Sequence, residues 1–228
     1  MSTINVAERA AELRDMQVRQ RRIKVDRMFA VLLAIQYVAG IFAALVISPY
    51  AWAGKERVLH MHVWVAILGG AGIVILPILL AIFRPGERLT RHVIAASQML
   101  SSALLIHLTG GRIETHFHVF GSLAFLAFYL DWQVILTATI VVAADHFARG
   151  IFWPESVYGV ANPEWWRFLE HAGWVVFEDI FVVWACFLSL REIDAAATQQ
   201  AEVEYLSEQG QLKTAALEMA LAEMQATA

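Results

Sequence analysis

Along the chain, apolar and polar positions alternate in long blocks rather than residue by residue. The first 25 residues are mostly polar, and six apolar runs follow, at about 28–47, 59–83, 92–108, 115–130, 133–151 and 169–190. A helix needs about 20 predominantly apolar residues to cross roughly 30 Å of hydrocarbon, and each run approaches or meets that length. The pattern predicts an all-α polytopic membrane protein, a six-helix transmembrane bundle. Only Leu130, Asp131, Trp132 and Gln133 separate the fourth and fifth runs, which therefore read as a tight helical hairpin. Three segments are expected: 1–25, a cytoplasmic N-terminal helix; 26–191, the six-span domain; 192–228, a cytoplasmic signalling helix.

Composition agrees with the pattern. Apolar residues make up 59% of the 228 and charged residues 17%, against about half and a quarter in soluble domains. A formal net charge of −4 argues against a nucleic-acid partner, which would need a basic face. The single cysteine, Cys186, excludes an intrachain disulfide and a Cys-rich metal site. Lys and Arg set the orientation. With the N-terminus inside, twelve of the 17 fall on inner segments, including the run Arg19–Arg27 and the cluster Arg84, Arg88 and Arg91. Five, Lys55, Arg57, Arg112, Arg149 and Arg167, fall outside. Both termini are thus expected in the cytoplasm, and the bilayer is the first partner. Pro154, Pro163, Gly159 and the tryptophans of the long outer loop 150–168 suggest an ordered lid.

Histidine changes the picture. On this topology His60 and His62 open the second span, His107 closes the third, and His116 and His118 open the fourth. His146 lies near the outer end of the fifth and His171 opens the sixth. Seven of the eight histidines therefore fall in one outer layer, and only His92 lies elsewhere. Acids accompany them. Glu114 and His118 share a helix face, Asp145 precedes His146, and Glu178 and Asp179 lie about 10 Å deeper than His171 by helical rise. Ionisable groups inside a span are costly and mark function by default. Two histidines two residues apart sit about 200° apart on a helix, so each HxH either unwinds at the helix start or serves two sites. The second is the reading taken, one histidine turning inward and its partner meeting the loop lid or a second metal.

Imidazole is the commonest ligand for transition ions. The reading is a site for one ion or a pair, drawn from His60, His62, His107, His116, His118, His146 and His171. Glu114, Asp145, Glu178 and Asp179 would act as further ligands or as supports for them. Copper or iron fits redox or gas sensing, and zinc fits metal sensing. Haem b needs only two axial ligands and leaves most of the histidines unexplained. A metal-free polar or proton-sensing network explains histidine but has less use for buried acids. Elsewhere, Gly69, Gly70 and Gly72 suit close helix packing, Pro77 a kink, and Gln36 and Gln98 hydrogen bonds between helices.

After Arg191 the chain has no proline and one glycine, favouring a helix that continues the sixth span. The N-terminal polar helix is expected beside it. Val203, Gly210, Leu217 and Met224 repeat every seven residues, compatible with a parallel dimeric coiled coil. No nucleotide loop or cyclase signature is present, so the chain is not expected to be an enzyme. The last helix reads as a connector to an output module beyond this sequence. A membrane oxidoreductase acting on a quinone or lipid is the alternative, as histidine-rich membrane sites support such chemistry too.

The stretches HMHVWVA, RHVIAASQMLSSALLIHLTGGRIETHFHVFGSLAFLAFYLDW, ADHFARGIFWPESVYGV and FLEHAGWVVFEDIF resemble the six-span membrane input region at the N-terminus of bacterial sensor histidine kinases and related signalling proteins. The resemblance covers about 30–190. It implies a sensor of the bacterial inner membrane, a homodimer whose last helix feeds a kinase. It carries no ligand with it, so the metal reading rests on the residues alone.

Overall fold

The computed structural model describes residues 5–227; the expected limits at residues 1 and 228 lie outside the described residues. Six long helices account for most of the chain. They are α1 (Val6–Ile47), α2 (Met61–Phe83), α3 (Arg88–Leu108), α4 (Ile113–Leu126, continued by a 3-10 turn Ala127–Tyr129), α5 (Trp132–Phe152) and α6 (Arg167–Thr227). Between α1 and α2 two short strands, β1 (Tyr50–Ala53) and β2 (Glu56–Leu59), form an antiparallel hairpin. It turns on Gly54 at φ 66°, a conformation that costs glycine little. The apolar-run pattern misses this hairpin because each strand is only four residues long.

Four helices, α1, α2, α5 and α6, are long and apolar enough to cross a membrane. The other two differ for a physical reason. α3 is the most enclosed helix, packed against α2, α4 and α5, and it buries Thr90, Arg91, Ser97, Gln98 and Ser102 along with its apolar residues. A helix sheltered by its neighbours can carry polar groups that satisfy one another. α4 is 14 residues long before its 3-10 turn.

The chain divides into two compact units. In the unit Gln20–Phe187, one core runs from Val25 and Phe29 through Ile94, Met99 and Leu123 to Tyr129, Ile135 and Val142. Phe29 and Tyr129 stack with ring centroids 5.7 Å apart. In α2 the segment Val65–Gly69 is a π turn, and the Tyr37 hydroxyl donates to the Ile67 carbonyl at 3.1 Å. A Cβ on Gly70 would lie 2.9 Å from the Tyr37 ring, so this glycine sets how closely α1 and α2 approach, as its sequence neighbourhood suggests.

The expected helical hairpin is present. Leu130 adopts the left-handed conformation (φ 52°), and Asp131 caps α5 by accepting from Gln133 N. The same end of the unit, opposite the β-hairpin, holds a buried polar network that the sequence does not announce. Asp26 accepts from the Tyr129 hydroxyl (2.6 Å) and from Gly86 N. Arg91 Nε donates to Asp131 at 2.8 Å, with Arg22 3.6 Å away. These groups tie α1, the α2–α3 turn, α3 and the α4–α5 turn together. A charge buried without such a partner would be expensive.

The second unit pairs the start of α1 with the end of α6. Leu13 packs on Ala197 and Ala201, with Val6 and Ala10 beside them. Arg9 meets Glu204 and Arg14 meets Asp194, so the two segments run antiparallel. The N-terminal helix thus lies beside the C-terminal one, as its polar composition suggests.

Candidate functional site

Six of the seven histidines gather at the β-hairpin end of the unit Gln20–Phe187, in two clusters rather than one, and His118 stands apart from both. The first joins three helices. His116 of α4, His146 of α5 and His171 of α6 have ring centroids 5.5, 5.3 and 6.1 Å apart. All three border a space of about 110 Å³ whose other walls are mostly apolar, Val119, Phe120, Val142 and Phe168 among them, with Thr139 as a polar member. Each ring is held the same way. Nδ1 lies 3.0–3.1 Å from the carbonyl four residues back, that of Arg112, Val142 or Arg167. A carbonyl only accepts, so Nδ1 carries the proton and the lone pair sits on Nε2. The Nε2 of His116 is buried with no partner.

In the second cluster His60 and His62 lie 4.3 Å apart, and His62 and His107 4.8 Å, with Trp153 edge-on to His107. His60 is extended (φ −64°, ψ 146°) and caps α2, its Nδ1 accepting from His62 N at 3.0 Å. This HxH is therefore unwound at the helix start. HFH instead lies within α4, and its members part. His118 points away from His116, its Nδ1 2.8 Å from the Ser102 hydroxyl and its Nε2 3.1 Å from the Gln36 amide. Ser122 accepts from Gln98 at 2.9 Å nearby. The two-site reading holds for HFH, whereas His60 and His62 stay in one cluster because the first of them is unwound as a cap. The glutamines bridge helices as expected.

A single pocket of seven histidines is therefore not formed. The half-turn between HFH residues separates His118 from His116, and with both ring nitrogens engaged His118 has no lone pair to offer. Of the acids, Glu114 is exposed beside Arg112 (3.5 Å) and joins neither cluster. Asp145 forms a two-pronged pair with Arg149, and its carboxylate lies 3.4 Å from His146 Nδ1. Arg149 also donates to Ser156, which is 2.9 Å from His107 Nδ1, so Asp145, Arg149 and Ser156 stand between the clusters. Asp179 accepts from Thr139, while Glu178 Oε2 is buried and unpartnered. His92 pairs with Thr137.

The loop between α5 and α6 is ordered over the clusters by a one-turn helix, Glu155–Tyr158. Tyr158 stacks edge-on to His171 at 5.4 Å. Burial pushes its phenol above the ordinary range, with Arg167 pulling the other way, so it stays a neutral hydroxyl. Gly111 and Gly159, both at positive φ, meet backbone to backbone. A Cβ on Gly111 would fall on Gly159 N. This contact, Tyr158 and the bridge through Arg149 are parts that the residue pattern leaves unmarked; the paired glycines at 110–111 and the lone one at 159 are the signal available.

In the first cluster His116 packs edge to face on both other rings, and His146 and His171 are tilted 41° to each other. Among the described residues no three His, Cys, Asp or Glu side chains form a ready-made metal site. What the cluster offers is three imidazoles, each with Nδ1 on a carbonyl of its own helix, around a small, mostly apolar space, which suits a soft or borderline cation after ring rotation.

No protein-family model and no solved structure matches the chain. The transducer protein Htr8 of Halobacterium salinarum is 34% identical over 85 residues, covering 35% of this chain and 13% of the relative. The match therefore spans about an eighth of that protein's length.

Proposed function

We propose that the chain is the sensory input domain of a membrane signalling protein, with a transition ion held by His116, His146 and His171. The transducer relative supports the signalling half of this reading. The ion half rests on one observation: three imidazoles from three helices border one small space, each with Nδ1 tied to its own helix. Ligands at about 2.0–2.1 Å in tetrahedral array would put ring centroids roughly 5 Å apart, close to the spacing found. The backbone carbonyls do for these rings what supporting partners do for metal-ligating histidines, fixing the tautomer and leaving Nε2 free.

In this reading all six helices span the bacterial inner membrane, both termini lie in the cytoplasm, and the histidines face the periplasm. Copper or iron would make the site redox-sensitive, and zinc would make it a metal sensor. Binding or loss of the ion would favour one of two packings of α6 against α4 and α5, a bistable element biased from one end. α6 then passes the change to an output module, a histidine kinase in the resemblance noted above, and two copies pair through their C-terminal helices.

Elemental analysis of detergent-purified protein exposed to copper, iron and zinc tests the site. The wild type is expected to retain one ion per chain. H116A and H146A should each lose it, while H92A and H118A keep it. An ion-free wild type, or equal retention in all four variants, overturns the ion reading.

A further inference from the structure

A larger cavity, of about 960 Å³, opens between α4 and α6 beside the three histidines. Small-molecule sites run to roughly 300–1,000 Å³, so it can take a ring and part of a chain. Phe117, Phe120, Trp174, Phe177 and Phe181 line it. Three polar atoms of its lining are buried without partners, Glu178 Oε2, the Tyr158 hydroxyl and, at the edge shared with the smaller space, His116 Nε2. A carboxylate oxygen left this way costs free energy that a donor would recover. An acyl chain fills the space but brings no donor. A quinone carbonyl accepts only.

We propose that this cavity binds a quinol drawn from the bilayer, its ring between the aromatic side chains and its hydroxyls on Glu178 and Tyr158. Tyr158 stacks on His171, and Glu178 lies seven residues further along α6, a rise of about 10 Å. The two oxygens of a quinol, with a hydrogen bond of about 2.7 Å at each end, span about 11 Å. The signalling meaning of such binding rests on the sensor reading above; the binding itself needs no ion. The domain would then report the reduced fraction of a quinone pool.

The test is calorimetric titration of the full chain, one copy per saturated-lipid nanodisc, with decylubiquinol kept reduced and, separately, with decylubiquinone. Saturable quinol binding at least tenfold tighter than quinone binding is expected. Glu178→Leu and Tyr158→Phe should each weaken the quinol about tenfold, and Val182→Trp, which fills the cavity, should abolish binding. If Glu178→Leu does not fold, the other two variants decide. Chelator-stripped protein should bind the quinol as tightly as untreated protein, so failure of the ion site and failure of this site are told apart. No saturable binding, equal affinity for the two redox forms, or unchanged affinity in the variants overturns the proposal. Loss of binding when two chains share a disc would assign the cavity to a second copy, and equally overturns it.

Discussion

At Gly111 a hydrogen in place of a side chain decides whether the α5–α6 loop can close. Both the positive φ and the backbone of Gly159 exclude a Cβ there. Gly111→Ala combines left-handed strain with a backbone clash, and such changes cost about 2 kcal/mol or more. The expected outcome is a lower melting temperature in detergent together with faster proteolysis within 150–168. Gly40→Ala, where a Cβ meets nothing within 4 Å, should change neither. The histidines carry a different lesson. Their types and layer were legible from spacing alone, but the sorting of His116 from His118 was not. That sorting depends on where α4 begins and on Ser102 and Gln36, which lie 16 and 82 residues from His118 in sequence.

Element by element, α3 differs from the four helices that are long and apolar enough to cross a membrane. Its most apolar stretch is less apolar than those of α1, α2, α5 and α6, and it buries polar residues against its neighbours. Its Arg91 is paired with Asp131, both side chains 9% exposed. Arg91→Leu leaves a carboxylate buried beside Arg22 alone, and breaking such a pair costs about 3–5 kcal/mol. A drop in thermal stability is expected, partly recovered by adding Asp131→Asn, which retains the acceptor for Gln133 N. Stability equal to wild type in Arg91→Leu would refute the ascribed role. The α4–α5 hairpin, the close approach at Gly70 and the helical nature of each apolar run were readable in the sequence, since all three are local. The network of Asp26, Tyr129 and Gly86 was not, because its members are joined only by the folded chain, and a lone Asp before an apolar run looks like any helix flank. The β-hairpin escaped for lack of length.

For the whole molecule, each unit makes its own demand. In the unit of chain ends, Leu13, Ala197 and Ala201 bury one face of α6, while Val203, Leu206, Leu217 and Met224 stay exposed. Val203, Leu217 and Met224 lie on the seven-residue repeat seen in the sequence, Leu206 lies beside it, and a second copy is the occupant that the sensor reading requires. With Cys186 buried elsewhere, Val203→Cys and Leu217→Cys are each expected to form an interchain disulfide under mild oxidation, whereas Glu202→Cys is not. A lack of cross-linking at both positions would argue for a monomer. In the other unit, the π turn at Val65–Gly69 ties the histidines of α2 to the rest of the bundle through Tyr37. Each residue of a helix advances the chain by about 100° around the axis. Deleting one residue from VAILG would therefore swing His60, His62 and the attached β-hairpin through that angle, carrying His62 off His107 and stranding the Tyr37 hydroxyl. The number of residues in that stretch is therefore as much a part of the architecture as their identity.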